Sequence, residues 1–440
     1  MIGILILAVI AIGVLLKRNL LLAAAILAAI FPASSILNAS GSNSVSVAPF
    51  WMVAVIIFMY AGFSFLLGRR PQRHTLRPEL FTLLLTFYWA VAVSMVAPLL
   101  FKGMGVFSPR GGIDEQVGNL TPLGFGISNV AQVLYVLLLA VFILYASARG
   151  RGHLRWVKLA LVMAAAFGLY QFVADRYHLP FPTALVFNNQ GVAIGNNQRI
   201  GEFLRINSTF TEPSTAGAFF AAGAVSMLAV GAYALAVLCV LGVLLSTSST
   251  GYIALVLGGV LFFAWNVYLK VRKRKFPVVF AGAALLLLLL GAVLIYLFGL
   301  GEILLESTVN KTGSVSFNNR TASDLYALSV VWQTLGLGVG LGSNRPSSFI
   351  TYVLSNIGVV GLLLLLSSVL LVLRRRGATW ARWGLVTYLI AKSLGVPDFS
   401  DPWLWIWFSL AVATTSPGVG RLPSPAVVTG SFTERVKGKA

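Results

Sequence analysis

Apolar runs and short polar breaks alternate along the chain from end to end. The runs that read as membrane-spanning helices are 2–16, 20–37, 49–68, 80–101, 124–148, 156–174, 213–231, 233–247, 250–269, 277–298, 348–373, 383–395 and 402–415. A helix needs roughly 20 apolar residues to cross a bilayer core of about 30 Å. Several runs meet that length, and short neighbours such as 213–231 and 233–247 can merge or split. The pattern predicts an all-α polytopic membrane protein with about 12–14 transmembrane helices, residues 1–440 forming a single integral membrane domain. The first run, Met1 to Leu16, has no basic start and precedes Lys17 and Arg18, so it reads as a retained span rather than a cleaved leader.

Three breaks are longer than a turn, at 102–123, 175–212 and 299–347. Long loops in a compact protein are usually functional or disordered. Inside the last, "NNRTASDLYALSVVWQTL" (318–335) repeats Leu325, Leu328, Val331, Trp332 and Leu335 at helical spacing. It predicts an amphipathic helix lying at the membrane–water boundary. Thr321 and Asp324 form an expected N-cap pair, and Arg320 stands just ahead of the helix start, where free backbone N–H groups attract anions.

Composition sharpens this picture. The chain is 58% hydrophobic and 10% charged, which leaves no room for a large soluble domain. One cysteine, Cys239, excludes an internal disulfide and a cysteine-based metal site. A net charge of +20 could suggest nucleic acid, but the basic residues sit in short clusters beginning near 17, 69, 149, 270, 374 and 435, between apolar runs. That is the positive-inside pattern of membrane proteins. With every cluster in the cytoplasm, the N-terminus lies outside, 416–440 is a cytoplasmic tail, and all three long breaks face outward. Eight Lys and Arg are then left outside, together with ten of the 12 acidic residues. Topology does not account for those eight basic residues.

Four stretches carry candidate chemistry. "RINSTFTEPSTAGAFF" (205–220) puts Arg205 and Glu212 at a helix start marked by Pro213. Its bland reading is a capping carboxylate with an exposed arginine partner. "GLGVGLGSNRPSS" (336–348) lacks the strand of a dinucleotide-binding unit, yet it can offer backbone N–H groups and Arg345 to an anion. "LLSTSSTGYIALVLG" (244–258) is adequately explained as a hairpin turn between spans. In "KSLGVPDFSDPWLWIW" (392–407), Lys392 is costly in a span unless paired, and Asp398 and Asp401 are near enough to pair with it. Two aspartates three apart could instead hold a divalent cation, though no third ligand accompanies them. Trp403, Trp405 and Trp407 read as an interfacial aromatic belt.

Arginine stays charged and grips phosphate through two parallel hydrogen bonds. The residues therefore point to a membrane enzyme acting on a lipid-linked phosphate at the outer face. Arg199, Arg205, Arg320 and Arg345 are the diphosphate-binding candidates, and Glu212, then Asp324, the candidate bases. A transporter would need charges through the middle of the bundle, where Lys392 stands alone, and internal inverted repeats are not evident. A scaffold would not need the arginines.

The ordered series "RINSTFTEPSTAGAFF", "LLSTSSTGYIAL" and "NNRTASDLYALSVVWQTLGLGVGLGSNRPSSFITYVLSNIGVVGLLLL" resembles the O-antigen ligase/polymerase superfamily, which includes the Wzy-type polysaccharide polymerases. The resemblance covers about 205–365 in motifs and the whole chain in hydropathy. It implies a GT-C-like glycosyltransferase of the bacterial inner (cytoplasmic) membrane, with its active face periplasmic and loops 175–212 and 299–347 in the periplasm. The implied donor is an undecaprenyl-diphosphate-linked oligosaccharide, used without metal, nucleotide sugar or other cofactor. The implied partners are the growing polysaccharide chain, the lipid bilayer, a flippase and a chain-length regulator, with no nucleic acid. By motif position, Arg205 and Arg320 become donor-diphosphate residues. Ligases of the superfamily usually carry a histidine after the Gly-rich turn. Here Ser347, Ser348 and Phe349 stand there, which favours a polymerase over a ligase.

Overall fold

The computed structural model describes residues 20–39, 45–67, 77–107, 120–148, 153–272, 315–375 and 379–413. The runs read at 2–16 and 277–298, and the tail 416–440, lie outside these residues. The described chain is helical: α1 (Leu20–Ala28), α2 (Pro49–Leu66), α3 (Pro78–Leu100), α4 (Ile127–Ala148), α5 (Leu154–Arg176), the single turn α6 (Thr183–Val186), α7 (Pro213–Ala229), α8 (Tyr233–Ser246), α9 (Ser249–Arg272), α10 (Val315–Gln333), α11 (Phe349–Arg374), α12 (Thr379–Gly395) and α13 (Pro402–Ala413). Three small antiparallel hairpins interrupt it: β1–β2 (Leu37–Ala39, Val45–Val47), β3–β4 (Gly105–Val106, Thr121–Pro122) and β5–β6 (Arg199–Ile200, Phe203–Leu204).

Among the described residues six helices are long and apolar enough to cross a membrane: α2, α3, α4, α5, α9 and α11. This is a multi-pass helical membrane protein. Other runs give shorter helices than their hydropathy suggests. The run 20–37 forms only nine residues of helix, because Phe31-Pro32 follows and proline bars both itself and its predecessor from continuing. The 14 residues of α8 are fewer than a span needs and the 17 of α7 are at its lower limit, while α13 is described over 12 residues. Nearly every residue of α7 and α13 is buried in protein. A helix that is apolar all round belongs in a core.

Small residues let α7 sit deep in the bundle. A Cβ on Gly251 of α9 would lie 2.9 Å from Gly217 Cα of α7, so Gly251 admits no larger residue, and a Cβ on Gly217 would crowd Ser248 at 3.0 Å. The expected aromatic belt at Trp403, Trp405 and Trp407 is corrected here: all three are buried. Trp403 Nε1 donates to Ala29 O and Trp405 Nε1 to Phe399 O. Alternating tryptophans on a short helix fill a core as readily as an interface, and the burial decides for the core.

The helix ends sort onto two faces. At one, Arg77 donates to Val412 O, and Glu79 Oε1 lies 3.1 Å from Arg375 Nη1, an ion pair without hydrogen-bond alignment. At the other, Asn188 bonds the β1 segment, Tyr326 bonds Gly105 O, and Phe107 meets Asn344. Which of the two faces lies outside is an expectation from charge alone. In a protein with Cys239 replaced by alanine, Val192→Cys, on the face carrying the hairpins, should label with an impermeant thiol reagent in intact cells. Thr379→Cys should label only after lysis. Labelling in the reverse order would invert the orientation.

Candidate functional site

Glu212 is the N-cap residue of α7, and Pro213 occupies the first turn, where its fixed φ and missing N–H suit a helix start. The Glu212 side chain makes no capping hydrogen bond. Its Oε2 instead accepts from Ser214 Oγ at 3.0 Å. Among the described residues it forms no salt bridge, although its charge acts on both Arg205 and Arg345. The bland expectation of a capping carboxylate is therefore not realised.

Arg205 is held by the break between α8 and α9. Its Nε donates to Thr247 Oγ1 at 3.1 Å and its Nη2 to Thr247 O at 3.4 Å, while Nη1 donates to Gln198 Oε1 at 2.9 Å. Thr247 has φ 46°, a left-handed conformation that side chains other than glycine rarely adopt. The stretch expected to be a plain hairpin turn thus aims a hydroxyl and a carbonyl at Arg205. Below it, residues 206–210 are fastened into the bundle. Gln171 Oε1 accepts from Asn207 N at 3.1 Å and Ser208 N at 2.9 Å, and its Nε2 donates to Asn207 Oδ1 at 2.8 Å.

Arg320 joins this site from α10. The helix starts at Val315, so Arg320 lies within it and not ahead of its N-terminus, which corrects the expected arrangement. Thr321 and Asp324 are not a cap pair either, since Thr321 Oγ1 donates back to Phe317 O at 3.0 Å. The amphipathic character is real: Trp332 and Leu335 are 82% and 95% exposed, while Ser323, Ala327, Val330 and Thr334 face protein. A Cβ on Gly395 would lie 3.2 Å from Arg320 Nη1 and 3.0 Å from Thr250 Oγ1, which places the guanidinium over the end of α12 beside the α8–α9 break. Among the described residues that guanidinium has no carboxylate or hydrogen-bond partner. Burial first, and then the Arg320 charge, push Arg205 below its ordinary value, against smaller pulls from Tyr252 and Glu212. Two neighbouring guanidiniums with no carboxylate paired to either among the described residues form a place for an anion.

Arg345 comes from the Gly-rich loop. That loop packs against a break in α11 at Gly358, which has φ 73° and ψ −175°. The break turns Val359 N to Gly336 O at 2.9 Å and frees two carbonyls, so Ser355 O and Asn356 O accept from Val339 N and Gly340 N, each at 2.8 Å. Leu341 N donates to Ser94 Oγ, Asn344 N to Asn356 Oδ1 and Arg345 N to Phe107 O. These N–H groups serve the protein, so the loop offers an anion its arginine and not a backbone cradle. Arg345 Nη2 lies 3.7 Å from Asp398 Oδ2. Asp398 first, and Glu212 more weakly, raise the Arg345 value against its burial.

Asp324 is a strut. One oxygen, Oδ1, accepts from Ser347 N at 2.8 Å, Ser348 N at 3.0 Å and Thr351 Oγ1 at 2.8 Å, tying α10 to the start of α11. Oδ1 with three donors is poorly placed to take a proton, so a base role for Asp324 would fall to Oδ2. Asp324→Ala should destabilise the protein by about 2–4 kcal/mol, the cost of stranding charge-assisted donors. Asp324→Asn, which keeps an acceptor oxygen, should retain most stability, as thermal unfolding in detergent would show. Full inactivity of Asp324→Asn at normal stability would restore it as a base.

Arg199 is not brought into this cluster. It pairs with Asp175 and donates to Glu202 O at 2.7 Å on the β5–β6 hairpin. Lys392 is fully buried, donating to Asp401 Oδ2 at 3.1 Å and to Asp398 O at 2.7 Å. Asp401 also accepts from Tyr388 OH at 2.6 Å and from Trp403 N at 3.0 Å. The two aspartates therefore serve different cations, Asp401 balancing Lys392 and Asp398 facing Arg345. No protein-family model, curated protein or solved structure matches the chain.

Proposed function

We propose that the protein is a GT-C-type membrane glycosyltransferase that polymerises undecaprenyl-diphosphate-linked oligosaccharide units at the periplasmic face of a bacterial cytoplasmic membrane. The observation that carries this reading is the pair Arg205 and Arg320, adjacent and, among the described residues, without a carboxylate paired to either, beside Glu212, whose side chain makes no capping bond. In the reaction, Glu212 takes the proton of an acceptor hydroxyl as that oxygen bonds to the donor C1. The bond from C1 to the diphosphate oxygen breaks, and undecaprenyl diphosphate leaves with the electron pair, its charge met by Arg205 and Arg320. Fixed guanidiniums supply the stabilisation that a divalent cation supplies in other phosphate chemistry.

The test is polymer length in cells lacking the gene. They should accumulate single lipid-linked repeat units, and the wild-type gene should restore long chains. Glu212→Gln keeps the shape but removes the base, and should lower chain formation by about 10²–10⁴-fold at equal protein abundance. Normal polymer from Glu212→Gln would remove the base assignment. Full-length polymer that stays on its carrier in the deletion strain would make the protein a ligase instead.

A further inference from the structure

Arg345 differs from its two neighbours in charge environment. Arg205 and Arg320 have no carboxylate in salt-bridge range among the described residues, whereas Arg345 faces Asp398 at 3.7 Å. Charge on Arg345 is already balanced, so a phosphate there would have to compete with Asp398 for it. A neutral polar ligand would not. A guanidinium donor beside a carboxylate acceptor matches a pair of sugar hydroxyls, each of which both donates and accepts.

The turn that carries Asp398 is built to present that side chain alone. Val396, Pro397 and Phe399 are buried, while the Asp398 side chain is 51% exposed and that of Arg345 28%. Phe399 packs its ring against Phe87, Phe349 and Trp405. The Asp398 carbonyl accepts from the buried Lys392 Nζ at 2.7 Å, and Asp401 balances that lysine. An exposed carboxylate on a turn fixed by a buried charge pair is preorganised for a ligand. Three residues earlier, Gly395 lies under Arg320, so the same segment borders the anion pair.

We infer that Arg345 and Asp398 form a sugar-hydroxyl subsite next to the Arg205–Arg320 anion subsite, with Lys392 and Asp401 as positioning residues. The ligand class is the uncharged glycan part of the acceptor. This rests on the reading of the site as one for lipid-linked glycans, and it divides the arginines into one pair for phosphate and one residue for sugar.

The experiment measures two quantities for Asp398→Ala and Arg345→Gln in full-length protein. One is binding of undecaprenyl diphosphate, which carries no sugar, to protein in nanodiscs. The other is polymer made in cells at equal abundance. Binding should stay within about two-fold of wild type while polymer falls about ten-fold or more, the scale of losing a hydrogen bond to a charged group. Asp398→Asn, which keeps an acceptor oxygen, should recover part of the polymer. A ten-fold loss of diphosphate binding in either variant, or normal polymer from both, would overturn the subsite. A purely structural role is also contrary to it, and would show as a fall in thermal stability with loss of both readouts. Failure of wild-type protein to bind undecaprenyl diphosphate would instead defeat the lipid-linked reading itself.

Discussion

Replacing Gly358 with alanine should remove folded protein from the membrane. Gly358 has φ 73° and ψ −175°, a region open in practice only to glycine. An added Cβ would lie 2.2 Å from Gly336 O and 2.4 Å from Leu337 O, both backbone atoms of the packed Gly-rich loop. No rotamer change relieves such an overlap, so loop and helix must separate. Separation undoes the bonds from Val339 N and Gly340 N to the freed carbonyls of α11 and moves Arg345 with them. Strain and stranded N–H groups together exceed about 4 kcal/mol, a large share of the stability of an ordinary domain. The measurement is abundance in membranes together with monodispersity after extraction. Gly62, which has open space around its Cβ position, is the control, and Gly62→Ala should behave as wild type.

Arg205→Lys and Arg320→Lys should each lower polymer formation by about 10²–10³-fold, the scale of one preorganised donor to a developing charge. Lysine keeps the charge but loses the planar fork that meets a phosphate through two bonds. The two variants should differ in stability. The Arg320 guanidinium has no partner among the described residues, so its replacement should leave stability within about 0.5 kcal/mol. Arg205 gives up bonds to Thr247 and Gln198, so its replacement should cost about 1–2 kcal/mol as well. Inactive Arg320→Lys at full stability is the sharper result, because it separates ligand binding from folding. Thermal unfolding and polymer yield on the same preparations give both quantities.

Hydropathy and local signals carried much of this in the sequence. Pro213 marked the start of α7, and six of the apolar runs mark helices long enough to cross a membrane. Relations between distant segments did not show. The break at 244–258 reads as a turn until Arg205, 42 positions before Thr247, bonds it. Asp324 reads as a helix cap because three-residue spacing to Thr321 is a local signal, whereas its partners are Ser347, Ser348 and Thr351. Asp398 read as a partner for Lys392 or, with Asp401, for a cation, whereas its carboxylate turns to Arg345 while its backbone serves the lysine. Trp403, Trp405 and Trp407 carry a composition shared by interfaces and cores, and only packing tells them apart. Gln171 gave no signal, since one glutamine in an apolar helix names no partner.

In the proposed reaction Arg205 and Arg320 together receive one diphosphate. Undecaprenyl diphosphate binding to wild-type protein, Arg205→Gln, Arg320→Gln and the double variant in nanodiscs tests it most directly. Each single change should weaken binding by at least about ten-fold, and the two effects should be non-additive, as for groups sharing one ligand. A double variant that binds undecaprenyl diphosphate as tightly as wild type would contradict the claim.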